Sequence, residues 1–76
     1  MKEVLELIAK ALVENPDAVS VTEIENGNSI TLELRTADGD MGKVIGKQGK
    51  IAKAIRTVVK AAASIEGKHV SVDIVQ

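Results

Sequence analysis

The chain has 76 residues and a net charge of −1 at neutral pH, and its length suits one small domain spanning residues 1–76. Cysteine is absent, which excludes disulfides, thiolate catalysis and cysteine-ligated metals. Phenylalanine, tyrosine and tryptophan are absent too, which excludes base stacking on these rings. No apolar run approaches the roughly 18 residues of a membrane span, and acids interrupt the apolar pattern at the N-terminus. We therefore expect a cytoplasmic protein without membrane association.

The first part of the sequence predicts one helix and two strands. Apolar residues recur at helical spacing from about residue 2 to 14, and Asn15-Pro16 ends this helix. Two strands follow, from Val19 to Glu25 and from about Ser29 to Thr36, joined by a tight turn at Asn26-Gly27. Ile24 breaks the alternation of the first strand, which indicates either a bulge or an exposed edge.

The second strand and the rest of the chain complete the predicted domain. Ile30, Leu32 and Leu34 alternate with polar residues, so the second strand should bury one face. Asp40 is a candidate N-cap for a short helix from about residue 41 to 45, and a long helix from about 50 to 65 ends at Gly67. A third strand covers about residues 70–75. The order helix, strand, strand, helix, helix, strand predicts a two-layer α+β domain, with the helices packed on one face of a three-stranded sheet.

Between the last two helices lies a glycine-bracketed loop, Gly46-Lys47-Gln48-Gly49. Glycine permits positive φ and close approach of another backbone, so the amides of residues 47 to 50 should be accessible at the start of a helix. Such amides bind anions, and a phosphate fits them. The alternative is an ordinary corner between helices, in which Gly46 is a C-cap and Gly49 a turn residue.

Charge is distributed unevenly along the chain. Residues 43–60 contain six basic and no acidic side chains, whereas the rest of the chain holds four basic and eleven acidic ones. Helical spacing places most of the basic residues of the long helix on one face, which predicts salt-sensitive binding to a polyanion. The predicted basic face comprises Lys50, Lys53, Arg56, Thr57 and Lys60. The predicted buried face comprises Ile51, Ile55, Val58, Val59, Ala62 and Ile65.

The run D-M-G-K-V-I-G-K-Q-G-K-I-A-K-A-I-R, together with the order of elements, resembles a KH domain of type II. Among these domains the chain is similar to the KhpA family of small bacterial RNA-binding proteins. KH domains clamp the backbone of about four nucleotides of single-stranded nucleic acid with a Gly-x-x-Gly loop. The resemblance implies single-stranded RNA binding, a role as an RNA chaperone or post-transcriptional regulator, a homodimer, and a larger KH-containing partner of the Jag (KhpB) type.

The resemblance also assigns roles to residues in and around the loop. Gly46 and Gly49 would be the glycines of the clamp, and Lys47 and Gln48 its variable pair. Ile45 would either offer an aliphatic surface to a base or pack in the core. Lys60, at the far end of the long helix, is expected to be a solvated surface residue. Four further side chains would hold phosphates or stack as cations, namely Lys43, Lys50, Lys53 and Arg56.

Catalytic functions find little support in the sequence, so we expect no enzyme, cofactor or metal site. His69 is the only histidine and lies at a predicted strand start, where a surface role is expected. The spacing from Gly42 to Gln48 lacks one residue and the hydroxyl side chain of a P-loop. The alternative to RNA binding is a protein-interaction module that pairs with itself or with another KH protein. Candidate exposed apolar residues for it are Ile24, Ile65 and Val75, with Val44 and Ile45 beside the loop.

Overall fold

The computed structural model of the chain describes residues 1–75 and has the predicted α+β order. Short 3-10 turns at Pro16–Ala18, Asp38–Asp40 and Lys47–Gly49 connect the main elements. The helices and strands are α1 (Lys2–Leu12), β1 (Ser20–Asn26), β2 (Ser29–Arg35), α2 (Met41–Ile45), α3 (Lys50–Ile65) and β3 (His69–Val75). Within residues 1–75, no helix combines the length and apolar character needed to cross a lipid bilayer.

The three strands form one mixed sheet in the order β1-β2-β3. β1 and β2 are antiparallel, whereas β2 and β3 are parallel and are connected through α2 and α3. Every residue of β1 pairs with β2 in one continuous register, so the irregular pattern of β1 reflects an exposed edge and not a bulge. Ile24 accordingly lies on the open side of this strand with 49% of its surface exposed.

The core lies between the sheet and the helices. Ile30, Leu32 and Leu34 of β2 are buried as predicted, because the helices cover only one face of the sheet. The buried face of α3 differs from the prediction, since Val58 is 51% exposed and Ile65 88% exposed. Small alanines take part in the contact instead. The buried residues of α3 are Ala52, Ile55, Val59 and Ala63.

Asp40 is the one fully buried charged residue of the described chain, and it occupies the predicted N-cap position of α2. Its carboxylate makes no capping bond to α2 but accepts hydrogen bonds from the backbone amides of Glu14 (3.3 Å) and Asn15 (3.0 Å). Burial raises the pKa of Asp40, but these hydrogen bonds outweigh burial and hold the pKa below the usual 3.8. The carboxylate thus ties the chain after α1 to the start of α2.

We expect Asp40→Asn to lower the melting temperature at pH 7 on the order of 5–10 °C. The asparagine side chain keeps one oxygen acceptor, but its NH2 group would face one of the two backbone N–H donors. A carboxylate whose pKa is lowered by folding stabilises the protein above its unfolded pKa, and this stability is lost as pH falls through the folded pKa. The difference between wild type and variant should therefore narrow below pH 3.8 in thermal melts. A difference in melting temperature that does not change with pH would contradict this role of the Asp40 carboxylate.

Candidate nucleic-acid interface

The loop between α2 and α3 has a backbone that depends on glycine. Gly46 has φ 77° and ψ 172°, a region that is essentially restricted to glycine. Gln48 and Gly49 follow in the left-handed region, with φ 59° and 73°. A glutamine in this conformation is strained, because its β-carbon approaches the following carbonyl oxygen. The loop thus has three residues with positive φ, and packing around the loop has to stabilise this backbone conformation.

The two glycines have different structural roles. A β-carbon placed on Gly46 would lie 2.5 Å from Cγ1 of Ile51, so the first turn of α3 packs directly on this glycine. A β-carbon on Gly49 would meet no atom within 4 Å. Gly46 also ends α2, because its amide donates to the carbonyl oxygen of Gly42 at 2.9 Å. The C-cap predicted as the alternative is thus present, and it forms part of the loop.

Two backbone amides of the loop are free to bind a ligand. The amide of Gly49 donates to Gly46 and that of Lys50 donates to Lys47, so neither is available as the sequence suggested. The amides of Lys47 and Gln48 form no hydrogen bond with residues 1–75. These two donors lie in the turn directly before α3, where the helix dipole favours an anion.

Basic side chains surround these two amides, and they differ in how free they are. Lys47, Lys50 and Lys53 are exposed and form no ion pair with a carboxylate of residues 1–75. Lys43 is partly neutralised, since its Nζ lies 3.8 Å from Oε1 of Glu14. The positive charge available to a ligand is therefore concentrated in the loop and the first turn of α3.

Arg56 connects α3 to the free edge of the sheet. Its Nε donates to the carbonyl oxygen of Val72 at 3.2 Å. The amide of His69 donates to the carbonyl oxygen of Asn28, which precedes β2. Because the backbone groups of successive residues in a strand point to opposite sides, those of Val70 and Val72 point away from β2, toward the free edge of the sheet. Beside this free edge of the sheet lies a pocket of about 530 Å³, lined by Lys60, Ser64, Gly67, Lys68, His69 and Val70. We use the name α3–β3 groove for the surface that runs from this pocket along α3 past Arg56. It has Lys53, Arg56 and Lys60 on the helix side and the backbone of Val70 and Val72 on the strand side.

The apolar residues beside the loop are less exposed than a docking surface requires. Val44 is fully buried, so its predicted place in such a surface is wrong. Ile45 packs against the core but remains partly exposed, and both of its predicted roles stay open. His69 is exposed at the start of β3, as predicted.

Sequence reasoning missed a second, apolar groove between α1 and α3. It has a volume of about 340 Å³ and an almost wholly apolar lining. Leu12 and Val58 border it and are 37% and 51% exposed, although helical spacing had assigned Val58 to the buried side. The lining residues are Ile8, Leu12, Lys50, Ile51, Ala54, Ile55 and Val58. We call this surface the α1–α3 groove.

Comparisons with known proteins identify the fold and the family. The chain resembles the protein Era, solved with MgGDPNP and a fragment of 16S ribosomal RNA, with a TM-score of 0.68 and 21% identity. The match covers 96% of this chain and only 28% of the Era chain. This similarity supports the predicted type II KH fold.

Relatives in sequence are closer and match over all or nearly all of their length. The chain is 63% identical over 75 residues to the RNA-binding protein KhpA of Clostridium acetobutylicum, covering 99% of this chain and 100% of that protein. It is 47% identical over 76 residues to the RNA-binding protein KhpA of Aquifex aeolicus, covering 100% of this chain and 96% of that protein. The family model described as KhpA/KhpB, KH domain matches residues 2–74. The chain therefore belongs to the KhpA/KhpB family of KH domains.

Proposed function

We propose that this protein binds single-stranded RNA by clamping its backbone at the loop Gly46–Gly49. The observation that carries the proposal is the pair of free amides at Lys47 and Gln48, set among lysines that have no carboxylate partner among residues 1–75. A phosphate group satisfies both features, because it accepts hydrogen bonds and carries negative charge. The naming of the relatives as RNA-binding proteins agrees with this function.

In the proposed complex the strand continues from the loop into the α3–β3 groove. Lys50 and Lys53 hold phosphates along α3, and Ile45 offers its exposed part to a base. The free edge of β3 supplies backbone donors and acceptors to bases, which a single strand can present because they are unstacked. Lys43 contributes less, since Glu14 competes for its charge. Gly46 and Gly49 give the loop its shape and let the backbone of the RNA approach.

One such domain makes few contacts, so we expect modest affinity. These properties suit an RNA chaperone or post-transcriptional regulator acting in the cytoplasm. A dimer, or a complex with a larger KH protein of the KhpB type, would place two loops on one RNA and raise the apparent affinity without new contacts.

Affinity for a short unstructured RNA, measured across a salt series, tests the proposal. Contacts from Lys47, Lys50 and Lys53 predict a slope of log affinity against log salt of about −2, because each phosphate contact to a single strand contributes about −0.7. Affinity should fall about twentyfold between 50 and 200 mM salt. A duplex of the same sequence should bind more weakly. Equal binding to the duplex, or affinity that does not change with salt, would contradict the proposal.

The α1–α3 groove favours a second function, self-association. We propose that a second copy of the chain covers this groove, because each copy presents both a depression and protruding apolar side chains, such as Val58, as a two-fold interface requires. Burial of such side chains is favourable by about 25 cal/mol per Å². Because Lys50 and Ile51 border both this groove and the loop, dimerisation and RNA binding are expected to influence each other.

Mass measurements over a range of concentrations test this interface. Wild type should form a dimer, and Val58→Glu should be a monomer because the glutamate would be buried without a partner. Thr57→Glu is a matched control, since Thr57 is exposed and does not line the groove. Dimers of both variants, or a wild type that remains a monomer, would reject the interface.

A further inference from the structure

We propose that Arg56 reads a guanine base of the bound strand through the O6 and N7 atoms of that base. The inference deepens the proposed function, because it rests on RNA lying in the α3–β3 groove. The inference assigns a preference for one base to Arg56. Without it, Arg56 would be one more positive charge on α3.

The side chain of Arg56 is held in place in a way that a simple phosphate contact does not require. Its Nε donates to the carbonyl oxygen of Val72 at 3.2 Å, and the residue is half-buried between α3 and the sheet edge. The neighbouring lysines are exposed and have no such tether. Since the guanidinium group is planar and rigid, fixing Nε also fixes the direction of the remaining N–H groups.

The remaining donors of Arg56 have no other assignment. Guanidinium carries five N–H donors and no acceptor, so the bond to Val72 leaves both terminal nitrogens available. Within residues 1–75, Arg56 forms no ion pair and no second side-chain hydrogen bond. A half-buried group with several unused donors beside a groove is suited to bind a planar ligand with two adjacent acceptors.

The position of Arg56 along α3 favours its contact with a base over its contact with the phosphate bound at the loop. Arg56 follows Gly49 by seven residues, which corresponds to about 10 Å along the axis of α3. A phosphate held by the amides of Lys47 and Gln48 is therefore out of reach of Arg56. Bases of the same strand lie further along the groove, next to the backbone groups that the edge of β3 leaves free.

Guanine is the base that fits this donor pair. Its O6 and N7 are adjacent acceptors, and arginine binds them with two parallel hydrogen bonds. Adenine places an amino group beside N7, so one donor of Arg56 would face another donor and remain unpaired. A good bidentate contact discriminates against the wrong base by about 1–3 kcal/mol, which is roughly 5- to 150-fold in affinity.

Three RNAs of about eight nucleotides test the inference, each long enough for the clamp of about four nucleotides to slide along it. The first is all adenine, the second has one central guanine, and the third has 7-deazaguanine there, which lacks the N7 acceptor. Wild type should bind the guanine RNA roughly tenfold more tightly than the adenine RNA. The 7-deaza substitution should remove most of that preference. Because this comparison uses only wild-type protein, it is independent of whether any variant folds.

Arg56→Lys keeps the charge but loses the bidentate fork, so it should bind all three RNAs within about twofold of one another. Lys53→Ala is the control, and it should weaken binding to all three RNAs by the same factor. Equal wild-type affinity for the guanine and adenine RNAs, or a guanine preference that survives in Arg56→Lys, would overturn the inference while leaving the clamp intact. Failure of wild type to bind any of the RNAs would overturn both the inference and the proposed function.

Discussion

Replacing Gly46 with alanine is expected to destabilise the protein by about 2–5 kcal/mol, the largest stability effect of any single substitution in the loop. Two costs add at this position. The backbone conformation of Gly46 is one that a residue with a β-carbon rarely adopts, and the new carbon would collide with Ile51 at 2.5 Å. Relief would require α3 to move away from the loop, which would also disturb the free amides of Lys47 and Gln48.

Gly49→Ala provides the matched comparison, because Gly49 has positive φ but open space around it. Its cost should be about 1 kcal/mol, from the left-handed conformation alone. Urea unfolding of both variants and wild type measures the difference in free energy of unfolding. If the two variants were equally stable, the packing of Ile51 on Gly46 would not constrain the loop.

Reversing the charge of the loop is expected to have the largest effect on function. A Lys47→Asp, Gln48→Asp double variant removes one cation and places two carboxylates beside the amides that would bind phosphate. Like charges about 4 Å apart at a protein surface repel by up to about 4 kcal/mol, so affinity for short single-stranded RNA should fall on the order of a hundredfold at low salt. Both glycines remain, so the fold should be retained.

The control for this variant carries the same change in net charge at a distance from the loop. Lys2→Asp with Asn28→Asp alters two exposed positions, one in α1 and one in the turn between β1 and β2. This protein should bind RNA within a few-fold of wild type. If both double variants lost affinity equally, only net charge would matter and the loop would have no special role.

The elements around the loop could be predicted from the sequence because local signals set them. Both α2 and α3 have the predicted bounds, since glycines mark three of their four ends and Asp40 marks the fourth, the start of α2. The buried face of β2 follows from strict alternation. The Gly-x-x-Gly spacing, together with a basic segment free of acids, indicated where an anion would bind.

Features that depend on the packing of distant elements could not be predicted. Val58 matches the helical spacing of a buried residue, but the buried face of α3 includes Ala52 and Ala63 instead. Asp40 is the N-cap residue of α2, as predicted, but its carboxylate accepts hydrogen bonds from Glu14 and Asn15, about 25 positions away. The bond from Arg56 to Val72 likewise joins two elements whose relative position only the fold determines.

A titration of wild-type protein with short single-stranded RNA, followed by the backbone amide NMR signals, tests the clamp most directly. The amides of Lys47 and Gln48 should shift most, followed by residues of the first two turns of α3 and the edge of β3. Shifts confined to the α1–α3 groove, with the loop amides unchanged, would contradict the clamp and would favour a protein-interaction module.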